Sequence, residues 1–186
     1  VGGKKFNQKL KKLSNNDNTL NVDSEDTNIQ YIRWSSTPPS NIEEMQADFA
    51  ECKLNNHYST NFDNNFVGEY FKDYMIYAWY YNHIIYLWSE ANYINFANSA
   101  NKMFSKLKSL KTLDFEEDLH VADTSNTTIL SNMFYECESL ENINLNIMNT
   151  ENVSSFGYIF NGCIALTSLD LSEFDTSLVT NMYSMF

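Results

Sequence analysis

Cysteine, histidine and serine side chains could give this 186-residue chain catalytic or metal-binding chemistry, but their spacing does not favour it. The histidines share no spacing with one another, and we interpret them as exposed loop or turn residues: His57, His83 and His120. The three cysteines lack a paired zinc spacing, and the five glycines form neither a G-x-S-x-G nor a phosphate-binding pattern. We therefore predict that the protein is not an enzyme and has no catalytic residue, no metal site and no cofactor.

A recurring doublet of Met or Ile followed by Phe organises the second half of the chain. Its phenylalanines are separated by 30, 26 and 26 residues: Phe104, Phe134, Phe160 and Phe186. A second landmark, Asp-Thr-Ser at 175–177, returns at 123–125 and, altered, at 149–151. Each copy of this landmark precedes a phenylalanine by the same interval, so the four extra residues of the first copy fall around 116–122. The region is therefore an array of repeats in which one copy carries a loop insertion.

An apolar pattern, L-x-x-[LI]-x-[LF], follows each of the first three doublets. Residues two apart face the same side of an extended strand, so each run predicts a short strand with one buried face. Adjacent strands in a parallel sheet lie ~4.8 Å apart, which would bury Leu113 on Ile143 on Leu169 and align the four phenylalanines. We expect a solenoid of parallel β-strand coils with short helical or irregular return segments.

Two cysteines occupy the same position in neighbouring repeats, three residues after Phe134 and Phe160. Stacked coils could bring the Cα atoms of Cys137 and Cys163 within the ~4.4 to 6.8 Å that a disulfide requires. The equivalent residue of the first copy is the apolar Leu107, so we favour two small buried thiols.

The final copy, LTSLDLSEFDTSLVTNMYSMF from Leu166 to Phe186, resembles the repeat of BspA-like leucine-rich-repeat surface proteins, including the type found in mycoplasma lipoproteins. The resemblance is near complete over 163–186 and extends back to Asn98. The stretch AWYYNHIIYLWSEANYINFANSANKMF also resembles the segment that leads into the first repeat of such proteins. The resemblance implies a leucine-rich-repeat solenoid and a surface-exposed adhesion or interaction protein.

In a leucine-rich solenoid, the strand residues that alternate with the core leucines face outward on the concave surface. These candidate binding residues are Thr112, Asp114, Asn142, Asn144, Thr167, Ser168 and Asp170. Rows of small polar groups on a rigid sheet can present hydrogen-bonding groups to a protein or a glycan. For any single residue we favour a purely solubilising role, so the prediction of binding concerns the surface as a whole.

Charge is distributed unevenly along this acidic chain, whose net charge is −12. The first twelve residues hold five lysines, whereas 112–186 contain twelve Asp and Glu and no Lys or Arg. Such a surface repels phosphate backbones, so we predict no nucleic-acid partner. The sequence also has no apolar run long enough to cross a bilayer, so we expect membrane attachment only through an anchor outside these residues.

Composition and pattern divide the chain into three predicted parts. We expect 1–28 to be a flexible leader or linker, 29–97 to form an α+β N-terminal cap, and 98–186 to be the repeat array, continuing beyond this sequence. Within the cap we predict a strand at 29–34, an amphipathic helix at 40–54 that starts with a Ser40–Glu43 capping box, an aromatic hairpin at 74–88 turning on Asn82-His83, and a strand at 93–96.

Two function classes remain open at this point. The first is an extracellular or cell-surface adhesion module whose repeat face binds a protein or glycan on a host or neighbouring cell. The second is a structural spacer or scaffold that displays another domain or self-associates, for example through an uncapped C-terminal end. Substitution of the outward-facing strand residues should separate them, because only the first class needs those side chains.

Overall fold

The computed structural model describes residues 2–34, 53–54, 74–89, 93–114, 121–145 and 148–186. Within them lie one helix and eight strands: α1 (Gly3–Asn15), β1 (Tyr31–Trp34), β2 (Lys53–Leu54), β3 (Tyr74–Tyr81), β4 (Ile84–Ser89), β5 (Tyr93–Asn95), β6 (Thr112–Asp114), β7 (Val121–Asp123) and β8 (Asn142–Ile143).

Most of these strands form one mixed sheet with the order β2-β3-β4-β1-β6-β8. Strands β2, β3 and β4 pair antiparallel, whereas β4-β1, β1-β6 and β6-β8 are parallel. A second, two-stranded sheet joins β5 to β7 in parallel. The architecture is therefore a mixed, mostly parallel sheet with an N-terminal helix, and the parallel pairing continues from β4 and β1 into β6 and β8 of the repeats.

The predicted aromatic hairpin is confirmed. Strands β3 and β4 pair along their length, from Tyr81 opposite Ile84 beside the turn to Ile76 opposite Ser89 at the far end. Asn82 and His83 both have positive φ, 47° and 65°, which is the backbone geometry that two-residue hairpin turns require. The backbone carbonyl of His83 accepts hydrogen bonds from the chain just before β1, so the turn also holds that strand in place.

Two other predicted strands are confirmed with shortened ends, as β1 and β5. The predicted helix at 40–54 lies outside the described residues except for its last two, which form β2 and are therefore not helical. Of the insertion predicted around 116–122, only 121 and 122 lie within the described residues. They begin β7, which pairs with β5 in the second sheet.

The prediction that 1–28 are a flexible leader or linker is wrong, because α1 is a helix packed onto the first repeat. Phe6 and Leu10 are buried, and the Phe6 ring contacts Phe104 edge-on at 6.1 Å. Gly3 approaches so closely that an added Cβ would lie 2.5 Å from the carbonyl oxygen of Asn101. The lysines that made this segment look like a linker include Lys4 and Lys5, which lie on the exposed face of the helix.

A buried carboxyl group fixes the chain that follows α1. The side chain of Asp26 is 1% exposed and accepts hydrogen bonds from Ser14 Oγ at 2.5 Å and Asn15 Nδ2 at 2.6 Å. It also accepts from the backbone N–H groups of Asn28 at 3.0 Å and Ile29 at 2.8 Å. One side chain thus ties the end of α1 to the segment that enters β1.

A buried ammonium group lies near this carboxyl group. Lys11 is 0% exposed, and its Nζ donates to the carbonyl oxygens of Val22 at 3.0 Å and Ser24 at 2.7 Å. Burial lowers the pKa of Lys11 to about 8, although the attraction of Asp26 acts in the opposite direction.

We predict that this lysine makes folding stability rise with pH over the range between about 8 and its unfolded pKa near 10.5. The folded state binds the Lys11 proton more weakly than the unfolded state does. The contribution of Lys11 to the free energy of unfolding is therefore lowest at a pH where Lys11 is protonated in both states, and it increases as the pH rises through the pKa of the folded state. Each unit of pKa difference corresponds to about 1.4 kcal/mol. Urea denaturation of the wild type and of Lys11→Met at several pH values checks this, because the difference between their curves isolates Lys11. A pH-independent difference would contradict the prediction.

The repeats stack with equivalent residues in contact, as the spacing predicted. Ring centroids are 5.5 Å apart for Phe104–Phe134, 5.7 Å for Phe134–Phe160 and 6.0 Å for Phe160–Phe186. Their interplanar angles are 15° or less, so the four rings form one stacked row. This phenylalanine row runs through the core of the repeat region.

Backbone hydrogen bonds join each repeat to the next in both directions. Around each phenylalanine, alternate N–H groups donate to carbonyl groups of the following copy: Phe104 donates to Met133 at 2.9 Å, Phe134 to Ile159 at 3.0 Å and Phe160 to Met185 at 2.9 Å. Elsewhere in the copies the direction is reversed, as where Ser139 N–H donates to Lys108 at 3.1 Å and Thr180 N–H to Ser154 at 2.9 Å. The same backbone conformation recurs, since positive φ is found at Lys102, Asn132, Tyr158 and Ser184 and again at Lys106, Glu136 and Gly162. The copies therefore share one local geometry despite their different sequences.

Candidate interaction groove

A groove of about 720 Å³ opens where the polar strand positions of three successive repeats meet. Its lining is Thr112, Leu113, Asn142, Ile143, Asn144, Ser168, Leu169 and Asp170. Five of the seven predicted binding residues are in this set. Of the other two, Thr167 is exposed but does not line the groove, and Asp114 is the last residue of β6, with its side chain outside the described part of the structure.

The sheet register accounts for this convergence. In the parallel pairing of β6 with β8, Thr112 lies opposite Asn142 and Leu113 opposite Ile143. Leu113 is 5% exposed and anchors the groove to the core, whereas Asn142 is exposed. The predicted burial of Leu113 on Ile143 is therefore confirmed, and the alternating polar residues lie in the same rows.

The third predicted strand does not form, although its residues reach the groove. Residues 166–171 have no strand pairing, and the prediction of a strand there is wrong. The backbone N–H of Ala165 still donates to the carbonyl of Glu138 at 3.2 Å, which holds the start of this segment against the preceding copy. Leu169 remains packed against the core, so Ser168 and Asp170 complete the groove from an extended, unpaired segment.

Asp170 is the acidic side chain of the lining. It is exposed, and its Oδ1 accepts a hydrogen bond from the backbone N–H of Ser172 at 2.9 Å. Hydrogen bonds from the Ser172 backbone and side chain lower the pKa of Asp170, so the carboxylate stays negatively charged well below neutral pH.

Residues 98–186 match the family described as "Mycoplasma protein of unknown function, DUF285". No curated protein and no solved structure matches the chain. The matched residues begin where the sequence predicted the repeat array to begin, at Asn98, and include the whole groove.

The DUF285 region also carries a row of tyrosines that sequence analysis missed. Ring centroids are 6.4 Å apart for Tyr135–Tyr158 and 5.2 Å for Tyr158–Tyr183, and both pairs meet edge-on. Tyr158 is 36% exposed and Tyr183 66%. The three residues stand at different offsets from their repeat phenylalanines, so a search for equivalent positions does not find them.

The two repeat cysteines are free thiols. Cys137 is buried as expected, whereas Cys163 is only partly buried and packs against the core. Cys137 Sγ donates to the carbonyl of Phe104, and Cys163 Sγ to that of Phe134, both at 3.1 Å. Burial raises the pKa of Cys137 and raises that of Cys163 to about 11. Each thiol therefore joins its copy to the preceding one as a neutral hydrogen-bond donor.

The other residues considered for chemistry do not gather at the groove. Of the three histidines, His83 lies in the hairpin turn as predicted, and His57 and His120 are outside the described residues. Among the residues that the structure describes, no group of three or more His, Cys, Asp or Glu side chains could hold a metal ion. In the same part of the chain, no helix has the length and apolar character needed to cross a bilayer.

Proposed function

We propose that this chain is a non-enzymatic interaction module that uses the groove to bind a protein or a glycan. The observation that carries the proposal is the convergence of Thr112, Asn142, Asn144, Ser168 and Asp170 on one groove over an apolar floor. Hydroxyl, amide and carboxylate groups offer both donors and acceptors, and the adjacent apolar side chains supply contact area. The pairing of β6 with β8 places Thr112 opposite Asn142 in this groove.

We propose further that the DUF285 region is a leucine-rich-repeat solenoid of the BspA-like type. Support comes from the stacked phenylalanines, the parallel pairing of β6 with β8 and the parallel bridges that link Ser99, Ile129, Ser155 and Asn181 at the repeat interval. Each copy therefore contacts the next copy both through the stacked phenylalanines and through parallel backbone pairs. In such an architecture each repeat is stabilised by its neighbours.

An extracellular or cell-surface location is part of this proposal and rests on the resemblance of 163–186 to BspA-like surface proteins. A test is protease treatment of intact cells of the source organism. We expect the region to be removed while cytosolic proteins survive. Persistence in intact cells combined with cleavage in a lysate would instead indicate an internal scaffold.

Binding through the groove can be tested with a charge-matched pair of double variants. Asn144→Lys with Asp170→Lys places two lysines in the groove, and Glu151→Lys with Asn152→Lys makes the same chemical changes at exposed residues outside its lining. Labelled wild type and both variants are applied to immobilised matrix proteins and to a glycan array. We expect the groove variant to lose at least about tenfold in affinity, or about 1.4 kcal/mol, and the control to lose little.

Equal binding by both variants to a verified partner would exclude this groove as the binding surface. The structural spacer remains the alternative function, and the regular stacking of the copies is compatible with it. It predicts that the groove variant keeps wild-type length and assembly and that no partner depends on the groove. Analytical ultracentrifugation of the three proteins measures their shape and assembly.

A further inference from the structure

The described lining of the groove carries only negative charge. Among the described residues, it contains the exposed carboxylate of Asp170 and no basic residue. Outside the lining, the exposed Arg33 of β1 lies opposite Asp114 of β6. The sequence from Thr112 to Phe186 adds eleven further acidic residues and no Lys or Arg. Two of these acidic residues, Glu136 and Glu138, pair with Lys106 and Lys108 of the first repeat, at 3.9 and 2.9 Å. A ligand that enters this groove therefore approaches through a negative potential, which attracts cations and repels anions.

The nearby lysines of the first repeat already have acidic partners. Lys102 Nζ lies 2.6 Å from Asp23, and Lys108 Nζ lies 2.9 Å from both Glu25 and Glu138. These lysines contact the chain that follows α1, outside the groove lining. Lys111, the residue just before β6, is the basic residue closest in sequence to the groove, and the exposed Glu141 stands at the equivalent position of the next copy.

The shape and chemistry of the lining match a long cationic side chain better than a compact cation. The apolar side chains of Leu113, Ile143 and Leu169 can contact the methylene groups of lysine or arginine, while Asp170 accepts a hydrogen bond from the charged end. The neighbouring amides of Asn142 and Asn144 can bond to the backbone of the same segment.

We propose that the groove recognises a Lys- or Arg-bearing segment of a partner protein, with Asp170 as the residue that receives the cationic side chain. This inference rests on the proposed function and adds the chemical class of the partner. Because the interaction involves an exposed carboxylate, it weakens as ionic strength rises.

The test uses the complete chain and a fluorescent short peptide of alternating threonine and lysine, with glutamine and glutamate versions as controls. The proteins are the wild type, Asp170→Asn and Glu151→Gln. Both substitutions remove one exposed carboxylate, but only Asp170 lies in the groove. We expect the lysine peptide to bind at least about tenfold more tightly than the glutamine peptide. Asp170→Asn should abolish that preference, Glu151→Gln should retain it, and added NaCl should reduce it.

Each other outcome overturns part of the argument in a recognisable way. The lysine and glutamine peptides could bind equally well, and both could lose binding in the variant that carries Asn144→Lys and Asp170→Lys. That result would refute the cationic partner but leave the groove as a binding site. Equal loss in Asp170→Asn and Glu151→Gln would indicate general attraction to an acidic surface and refute the role of Asp170. Absence of binding by the lysine peptide would also refute the inference, whereas groove-dependent binding of a glycan would still support the proposed function.

Discussion

Replacing Phe134 by alanine is expected to lower the free energy of unfolding by about 3–5 kcal/mol. The ring is 0% exposed and stacks on two others, at 5.5 Å from Phe104 and 5.7 Å from Phe160. Truncation removes its buried apolar area and both stacking contacts, and the backbone hydrogen bonds between copies limit how far the cavity can collapse. Urea denaturation followed by circular dichroism measures the loss.

Phe186→Ala is the matched control for this prediction. Its ring contacts only one member of the phenylalanine row, Phe160, and is 69% exposed. We expect it to cost about 1 kcal/mol or less, because most of its surface is already in water. Phe134→Leu should fall between the two, since it keeps much of the buried volume. Similar losses for Phe134→Ala and Phe186→Ala would show that the row is not a stabilising core.

Asp26→Ala is expected to destabilise the protein by about 3–4 kcal/mol, because each buried donor left without a partner costs about 1–3 kcal/mol. Four donors lose their acceptor: the side chains of Ser14 and Asn15 and the backbone N–H groups of Asn28 and Ile29. The buried ammonium of Lys11 also loses a nearby carboxyl group. Thermal and urea denaturation both report this change.

Asp23→Ala provides the comparison for Asp26, since it removes a carboxyl group from the same loop. Asp23 pairs with Lys102 at 2.6 Å, but its side chain is 65% exposed. Exposed ion pairs contribute only about 0–1 kcal/mol, so this variant should remain close to the wild type. If Asp23→Ala and Asp26→Ala behaved alike, the buried network around Asp26 would not be what holds α1 to β1.

The core of the repeat region was predictable because like residues recur at a fixed interval. A phenylalanine at the same position in each copy has to meet its equivalent when the copies stack, and the alternation of Leu113 with polar neighbours identifies the groove. The third strand was not predictable from the same pattern. Residues 166–171 repeat the apolar spacing of the earlier copies, but the spacing specifies which side is buried and not whether backbone pairing forms.

Helix α1 could not be recognised from apolar periodicity because half of its buried face is polar. Its buried positions are Gly3, Phe6, Asn7, Leu10, Lys11 and Ser14. These polar side chains can be buried because each has a hydrogen-bond acceptor. Asn7 donates to the backbone carbonyl of Ser105, Lys11 to that of Val22, and Ser14 to the side chain of Asp26. Those partners are known only from the tertiary structure, so a helix with a mixed buried face resembles a polar linker in sequence.

Around each phenylalanine, the hydrogen bonds between copies all run one way, from N–H groups of one copy to carbonyl groups of the next. In this part of the stack the first copy therefore presents carbonyl oxygens to the N-terminal segment. The N-terminal segment supplies the donors: the N–H of Gly3 for Ser99, the amide of Asn7 for Ser105 and the N–H of Asp26 for Lys106. The amino end of α1, where a helix has free N–H groups and partial positive charge, is therefore suited to this side of the repeats. Any sequence that replaced this segment would have to offer hydrogen-bond donors at the same places, and an apolar cover alone would leave buried carbonyl groups unsatisfied.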